Sequence, residues 1–356
     1  MAASVGSASA APLDDWPIAT PEDMGFKPGM AEQLDAMVAD GSLKNLHAAL
    51  IVRHGKLVLE RYYAGQDERW GRPRGEVQFD ANEKHDLRSV TKSIVGLLYG
   101  IALAEGKVPP LDAPLLEQFP DYADLADDPL RRRITVGNAL TMQMGTEWDE
   151  GISYADPRNS EHAMEMAKDR YRFVLDRPMV AEPGGHWVYN GGATAVVAKL
   201  ISNGTRGDLL AYAKDKLFAP LGITELEWVE GHDGEYVAAS GLRLRPRDLA
   251  KIGQMILDRG QWDGQQVVPA DWLAASFTPH AKVDEELSYG YQWWLGIHDG
   301  RARWVAGFGN GGQRLYCNPG LDLVLVATAG NYNQPDAGQI PTAIILKVIL
   351  PALGIE

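Results

Sequence analysis

The sequence predicts an α/β (α+β) protein in which an antiparallel sheet, flanked by helices, carries an inserted and mostly helical domain. Strand periodicity occurs near both ends of the chain, whereas the middle consists of helical segments broken by Pro and Gly. The apolar run that follows Ser89 predicts a helix buried on most of its sides. With 356 residues, 45% of them hydrophobic, the chain is long enough for one large core or two lobes.

The simplest domain organisation builds the sheet from both chain ends. Residues 22–107 and 280–356 are expected to form this sheet domain, and residues 108–279 the helical domain. Residues 1–21 are expected to be a flexible N-terminal arm. Its first dozen residues lack the basic start and the apolar core of a signal peptide. We therefore expect a soluble protein, and the sequence leaves open whether it is cytoplasmic or exported.

The individual predicted elements follow this plan. An amphipathic helix over 29–41 precedes a strand hairpin, 47–53 and 57–63, whose turn contains Gly55, and residues 65–84 are expected to be a loop. The predicted helices of the inserted domain are 134–142, 163–175, 193–201, 209–217, one that begins at Pro246, and 270–276. The predicted closing elements are strands at 289–296, 302–306, 313–317 and 321–329 and a helix over 337–350.

Composition and charge exclude several functions. The formal net charge is −14 and the only dense basic run is 131–133, so a nucleic-acid partner is not expected. No stretch is long and apolar enough for a membrane span. The single cysteine, Cys317, rules out an internal disulfide, and neither a His-Glu-x-x-His motif nor comparable ligand spacing occurs. We therefore expect no metal, no organic cofactor and a small-molecule partner, and a homodimer is compatible with the sequence.

Ser89-Val90-Thr91-Lys92 places a primary amine one helical turn behind a hydroxyl. Positions i and i+3 of a helix share a face, with Cβ atoms roughly 5–6 Å apart, so Lys92 can reach the Ser89 hydroxyl. A serine hydroxyl needs a neighbouring base to become a nucleophile, and a desolvated lysine is one such base. The four-residue pattern alone also suits a solvated helix lysine, but its place in a hydrophobic helix favours the catalytic interpretation.

Ser89-Val90-Thr91-Lys92 is followed by Tyr189-Asn190-Gly191 and by Gly309-Asn310-Gly311-Gly312-Gln313. The order of these three motifs resembles that in serine β-lactamases and penicillin-binding proteins. The resemblance spans about residues 21–349 and lies on the class C side, which includes family VIII carboxylesterases and 6-aminohexanoate-dimer hydrolases. It implies a β-lactamase-like fold and a serine hydrolase.

The resemblance also implies a role for each matching residue. Ser89 is the acylated nucleophile, Lys92 is its proton partner, and Tyr189 passes the proton to the leaving group. A phenol holds its proton near pH 7, so Tyr189 is expected to need the Lys92 ammonium to lower its pKa. The backbone N–H groups of Ser89 and Gln313 are expected to form the oxyanion hole.

Substrate-binding residues are expected in the third motif and in one loop. Asn310, Gly311 and Gly312 match a segment whose glycines let the backbone lie close to a bound substrate. Tyr154 and Trp148 stand in a loop that, by resemblance, borders the cleft.

Two departures from the family pattern bear on the substrate. Asn310 stands where the family usually has a Lys or His that, in β-lactamases, helps to hold the carboxylate of the drug. Gly191 stands where the Tyr-x-Asn motif has its asparagine. Both departures weaken a β-lactamase or peptidase interpretation and leave ester or amide hydrolysis.

The sequence thus predicts a serine hydrolase (esterase/amidase) that cleaves ester or linear amide bonds through an acyl-enzyme on Ser89, as a carboxylesterase or a 6-aminohexanoate-oligomer-type amidase. The alternatives are a β-lactamase or DD-peptidase-like penicillin-binding protein, or a non-catalytic binding protein on the same scaffold. An α/β-hydrolase centred on Ser153 is disfavoured, because Gly151-Ile152-Ser153-Tyr154-Ala155 lacks the last glycine of that nucleophile motif.

Overall fold

A computed structural model describes residues 16–355, and its centre is an eight-stranded antiparallel sheet. The strands, numbered in chain order, are β1 (Leu46–Arg53), β2 (Lys56–Tyr62), β3 (Gly65–Arg69), β4 (Arg72–Val77), β5 (His85–Asp86), β6 (Leu226–Trp228), β7 (Leu242–Leu244), β8 (Gln261–Trp262), β9 (Gln265–Gln266), β10 (Ala281–Lys282), β11 (Leu287–Tyr289), β12 (Trp294–His298), β13 (Arg301–Gly309), β14 (Gln313–Asn318) and β15 (Leu323–Ala329). The large sheet has the order β10-β11-β12-β13-β14-β15-β1-β2, and the smaller sheets are β3-β4, β5-β7-β6 and β8-β9.

Helices cover both faces of the large sheet. They are α1 (Met30–Ala39), α2 (Val90–Ala104), α3 (Val136–Leu140), α4 (Ser160–Met166), α5 (Arg170–Leu175), α6 (Gly191–Thr205), α7 (Leu209–Ala213), α8 (Pro246–Leu257), α9 (Ala270–Ser276), α10 (Gln339–Ala343) and α11 (Leu350–Ala352). Two π-helical turns, Lys214–Phe218 and Ile344–Ile349, follow α7 and α10, and the 3₁₀ turns are Glu22–Met24, Leu116–Gln118, Pro120–Asp127 and Arg131–Arg133. The prediction of an antiparallel sheet flanked by helices is confirmed.

The N-terminal hairpin and the C-terminal strands meet in one sheet. β1 and β2 are joined by a two-residue turn at His54 and Gly55, both with positive φ (50° and 72°), which matches the right-handed twist of a hairpin. On its other side β1 pairs with β15, with Leu50 opposite Val326. The strands from the two ends of the chain therefore lie in one sheet.

Both faces of this sheet are buried, which explains the continuous apolar runs of its strands. Along β1, Leu50 and Val52 belong to the core beneath α2, whereas Ala49 and Ile51 belong to the core beneath α1 and the C-terminal helices. Alternate side chains of a strand point to opposite faces, so a strand covered on both sides has no polar face.

Several features differ from the expected boundaries. The predicted strand 289–296 is divided between β11 and β12, and the predicted helix 163–175 is divided between α4 and α5. The predicted loop at 65–84 contains the hairpin β3–β4. Helix α8 lies within the predicted helical domain, but it packs on β14 and β15 of the large sheet. Ala19 and Pro17 exchange backbone hydrogen bonds with Leu57, so the end of the predicted arm is paired, while its first fifteen residues lie outside the described residues. No helix within residues 16–355 is both long and apolar enough to cross a bilayer.

Candidate functional site

Ser89 lies at the N-terminus of α2, where a sharp turn joins β5 to the helix. Arg88 has a φ of 48°, which is uncommon for a side chain other than Gly, and its guanidinium lies 4.6 Å from the centre of the Tyr332 ring. Ser89 is the N-cap of α2, so its backbone N–H has no acceptor within the helix. The Ser89 hydroxyl therefore lies at the N-terminus of a helix that is buried along most of its length.

Lys92 is buried and uses all three of its N–H groups. Its Nζ donates to Ser89 Oγ (3.0 Å), to Glu161 Oε2 (3.0 Å) and to the carbonyl of Ala239 (3.1 Å). Burial lowers the pKa of Lys92, but the Glu161 carboxylate and the neighbouring Tyr189 outweigh it, and the pKa lies above its ordinary value. Lys92 is therefore an ammonium in the resting protein.

Tyr189 is brought to Ser89 and Lys92 from a hundred residues away. Its side chain lines the same cleft as Ser89, and Lys92 Nζ lies 5.0 Å from the centre of its ring. Trp294 packs against the ring at 5.5 Å between centroids. Burial raises the pKa of Tyr189, while Lys92 and the nearby Ser89 side chain lower it, and the net direction is upward. Lys92 thus acts in the expected direction, but burial is stronger, and Tyr189 rests as a neutral phenol.

Glu161 is a member of this cluster that the sequence motifs did not indicate. It follows the N-cap of α4, where the Asn159 side chain accepts hydrogen bonds from the Glu161 and His162 backbone amides. Its carboxylate accepts from Lys92 and, at 2.8 Å, from the Ser240 hydroxyl. The lysine is therefore neutralised by an ion pair within the protein interior.

Gly191 explains why Glu161 can lie there. A Cβ atom on Gly191 would meet Glu161 Oε2 at 2.4 Å, closer than real contacts allow. The position at which the resembling family has the asparagine of its tyrosine motif therefore has no side chain here, and the Glu161 carboxylate fills that space. The replacement of that asparagine by Gly191 was the feature of the sequence that could have indicated another side chain in this space.

A second carboxyl group, Glu150, lies against the first. Its oxygens accept from the Gly191 backbone N–H (2.6 Å), the Trp148 indole (2.6 Å) and the Tyr154 hydroxyl (2.8 Å). Burial and the adjacent Glu161 carboxylate raise the pKa of Glu150 to about 7. The pKa of Glu161 moves down, since Lys92, Ser240 and a hydrogen bond with Glu150 outweigh its burial. A protonated Glu150 beside an ionised Glu161 is the arrangement that satisfies both groups.

Ser89 and Tyr189 line a cleft of about 260 Å³. Its other lining residues are Tyr154, Trp294, Phe308, Gly309, Asn310, Gly311, Gln334, Ala337 and Gly338. A larger cavity of about 870 Å³ is lined by other residues, Trp16, Lys251 and Trp262 among them. We place the site in the smaller cleft because it contains the serine and the tyrosine.

The glycine segment of the third motif forms one wall of the cleft. Gly311 and Gly312 have φ values of 96° and 99°, a region that favours glycine, and a Cβ on Gly311 would meet the Tyr332 ring at 2.7 Å. The Asn310 side chain bonds to Asn333, donating to its side chain and accepting from its backbone. Gly312 does not line the cleft.

Gln313 and Trp148 differ in how they relate to the cleft. Gln313 opens β14 opposite Gly309, and its side chain bonds to both backbone groups of Ala329. These bonds fix the start of the strand, and the role of Gln313 in an oxyanion hole stays a prediction.

Trp148, predicted to bind substrate, lies instead in the core against Phe173 and reaches the site only through its bond to Glu150. That prediction missed the direction of the ring because loop residues give no periodic burial pattern.

Comparison with known proteins extends these observations. The beta-lactamase family model matches residues 34–348. The chain is 27% identical over 314 residues to the 6-aminohexanoate-dimer hydrolase of Paenarthrobacter ureafaciens, covering 81% of this chain and 73% of that protein. It is also 27% identical over 227 residues to esterase EstB of Burkholderia gladioli, covering 58% of this chain and 56% of that protein.

The fold is found again among solved structures. A Bacillus anthracis protein provisionally named a 6-aminohexanoate-dimer hydrolase superposes with a TM-score of 0.74 at 18% identity, over 96% of this chain and 89% of its own. The β-lactamase-like fold predicted from the motifs is thereby confirmed. Since the family model covers most of the sequence, the chain belongs to the beta-lactamase family.

Proposed function

We propose that this protein is a serine hydrolase that cleaves a small ester or linear amide through an acyl-enzyme on Ser89. The observation that carries the proposal is the convergence of the Lys92 ammonium and the Tyr189 phenol on the Ser89 hydroxyl at a cleft. The names of the relatives, an amide hydrolase and an esterase, support the same reaction class.

Acylation begins with attack of Ser89 Oγ on the substrate carbonyl. Tyr189 accepts the serine proton and gives its own proton to the departing alcohol or amine, so that the phenol relays one proton and ends neutral. The Lys92 ammonium stabilises the negative charge that develops on both oxygens during this transfer. Lys92 itself is not the base, because Glu161 holds it in the charged form.

Deacylation reverses the direction of the relay. Tyr189 takes a proton from the attacking water and returns one to Ser89 Oγ, and the acid product leaves. Glu161 is a positioning residue in this scheme, because it touches Lys92 and not the reacting atoms. Its ion pair fixes the ammonium one hydrogen bond from the serine throughout the cycle.

The cleft favours an uncharged substrate. Among the described residues that line it, none carries a positive charge, and the walls are formed largely by Trp294, Phe308, Tyr154 and Tyr189. Asn310, which replaces the usual cation, is bonded to Asn333 and presents no charge to a carboxylate. Aromatic walls with few polar groups suit the apolar part of a small ester or amide.

Labelling by a serine-reactive phosphonate tests the nucleophile. One equivalent of adduct on the intact protein, mapped to the peptide that contains Ser89, is the expected result. Label on Ser153, or no label on a folded protein, would overturn the proposal.

A substrate panel tests the reaction class. We expect continued turnover of a p-nitrophenyl ester or an aminohexanoate oligomer and slow turnover of a chromogenic cephalosporin. Fast turnover of the cephalosporin alone would show a β-lactamase. A single burst of product without further release would show a binding protein that is acylated and does not turn over.

A further inference from the structure

Three buried side chains outside the cleft, His47, Asp67 and His85, lie close together on three different strands. His47 Nδ1 is 2.8 Å from His85 Nε2, His85 Nε2 is 3.7 Å from Asp67 Oδ1, and all three atoms lie within 4.8 Å of one another. The side chains of all three are almost wholly excluded from solvent. The cluster takes no part in the mechanism above.

The contact of His85 Nδ1 determines which ring nitrogen of His85 carries the proton. His85 Nδ1 lies 3.0 Å from the backbone carbonyl oxygen of Asp86. A carbonyl can only accept, so the ring proton of neutral His85 is on Nδ1. Its Nε2, which faces His47 and Asp67, therefore carries a lone pair.

Two tautomers are open to His47. A proton on Nε2 would be donated to Asn45 Oδ1 at 3.3 Å, an oxygen whose position is fixed because it accepts from the Gln66 N–H while Asn45 Nδ2 donates to the Gln66 carbonyl, each at 2.9 Å. A proton on Nδ1 would be donated to His85 Nε2 at 2.8 Å. A metal ion bound between the rings would select the first tautomer, in which His47 Nδ1 carries a lone pair.

With the ring proton of His47 on Nε2, two nitrogen lone pairs and a carboxylate oxygen face one another within the cluster. Facing lone pairs in a dry interior are unfavourable unless a cation lies between them.

We propose that His47 Nδ1, His85 Nε2 and Asp67 Oδ1 bind one divalent transition-metal ion, with Zn²⁺ the expected occupant. Neutral imidazoles with one carboxylate are a donor set that zinc takes. Ligands about 2.1 Å from a tetrahedral zinc lie about 3.4 Å apart, a value between the observed 2.8 and 3.7 Å.

The surroundings have the features of a metal site beyond its ligands. The remote nitrogen of each histidine faces an oxygen that would accept its proton when the other nitrogen binds a metal, Asn45 Oδ1 for His47 and the Asp86 carbonyl for His85. Asp67 is held by Arg74 at 3.0 Å through its other oxygen and by the Tyr332 hydroxyl at 3.0 Å. The Phe79 ring stacks on His47 at 4.1 Å and excludes water.

The ion would stabilise the position of β5, the strand that leads to Ser89. The ligands come from β1, β3 and β5, and β5 is followed directly by the turn to Ser89. The ion would therefore be structural, joining the large sheet, the β3–β4 hairpin and the start of α2. Strands that are distant in sequence supply one ligand each, which is why the sequence showed no ligand spacing.

The test uses the untagged full chain, equilibrated with Zn²⁺ and then dialysed extensively. We expect about one equivalent of zinc by mass spectrometry, a higher Tm than after treatment with a chelator, and an X-ray absorption spectrum with nitrogen and oxygen ligands that include two imidazoles. Less than a tenth of an equivalent, or an unchanged Tm at full occupancy, would overturn the proposal.

Two variants locate the ion. His85→Gln is expected to lose the bound zinc and the chelator-dependent shift in Tm, whereas the matched control His298→Gln, at a largely exposed histidine, is expected to keep both. Zinc retained by a folded His85→Gln protein would place the ion elsewhere and contradict the assignment. Should that variant not fold, the imidazole count of the wild-type spectrum decides, and fewer than two imidazoles overturns the proposal.

Discussion

Two buried polar clusters lie on either side of the short segment from His85 to Ser89, and they satisfy their polar groups differently. Around Lys92, each ammonium proton meets an acceptor, and the carboxylates of Glu161 and Glu150 receive donors in return. Around His47, the facing nitrogens of His47 and His85 lie 2.8 Å apart beside the Asp67 carboxylate, and we propose that a metal ion binds between them. The polar groups of the first cluster all find partners within the chain, whereas the second cluster would be completed by a cation. The first cluster is therefore suited to catalysis and the second to ion binding.

The largest expected effect is the loss of the relay in the first cluster. Ser89→Ala and Tyr189→Phe should each lower kcat by about 10²- to 10⁴-fold, since each removes a group that transfers the proton. The measurement is ester turnover, with circular dichroism to show that both variants fold. Near-normal turnover of Tyr189→Phe would mean that the phenol does not carry the proton.

Removal of the charge on Glu161 should affect both stability and pH dependence. Glu161→Gln leaves Lys92 without its counter-charge, and breaking a buried ion pair costs up to about 3–5 kcal/mol of unfolding free energy. The pKa of Lys92 should fall because burial then dominates, so the alkaline limb of the kcat profile should move to lower pH.

Glu165→Gln is the matched control for that experiment. Glu165 lies on the same helix and pairs with Arg170 at 3.0 Å, and it is not among the hydrogen-bond partners of Lys92. Its substitution should lower stability, with a much smaller shift of the alkaline limb than in Glu161→Gln. An unshifted limb in Glu161→Gln would reduce Glu161 to a structural role.

A smaller and non-additive effect is expected at Gly191. Gly191→Ala places a Cβ against Glu161 Oε2 and should push the carboxylate away from Lys92, with a loss of both kcat and Tm. In the double variant with Glu161→Ala the steric conflict is absent, so the second substitution should cost much less than it does alone. Simple addition of the two effects on Tm would show that the two positions do not share the space.

The smallest expected effect is the pH dependence of stability that arises from Glu150. Its pKa in the folded protein, about 7, lies above the ordinary carboxyl value, so the folded state binds the proton more tightly. This contribution is present at low pH and is lost as pH rises through about 7. Glu150→Gln imitates the protonated form and should therefore gain in Tm relative to wild type between pH 5 and pH 8. An equal difference in Tm between Glu150→Gln and wild type at pH 5 and at pH 8 would contradict the raised pKa of Glu150.

Much of the fold was accessible from the sequence because it depends on local patterns. The hairpin 47–63, the buried helix after Ser89 and the strands β13, β14 and β15 were predicted at nearly their observed positions. The hairpin β3–β4 was missed, because its strands are polar and largely exposed and show no apolar alternation. Helix α8 was predicted, but its packing on the sheet depends on the fold of the whole chain.

The candidate site divides in the same way. The contact between Lys92 and Ser89 follows from helical spacing, and Tyr189 could be named because its motif has a known order. Glu150 and Glu161 carry no motif, and their position depends on the path of a loop. The lowering effect of Lys92 on the Tyr189 pKa was expected, whereas the larger effect of burial depends on how deeply the ring lies in the fold.

By itself, the sequence determined the features that neighbours along the chain decide, namely strand alternation, helical spacing and the hydroxyl–amine pair on one helix face. Only the tertiary structure decided which carboxylate neutralises Lys92, which space Gly191 leaves open, and that His47, Asp67 and His85 meet. The physical reason is that desolvation and charge pairing act through space and fall off within a few ångströms. Their outcome depends on distances between residues that are far apart in the chain, and folding alone sets those distances.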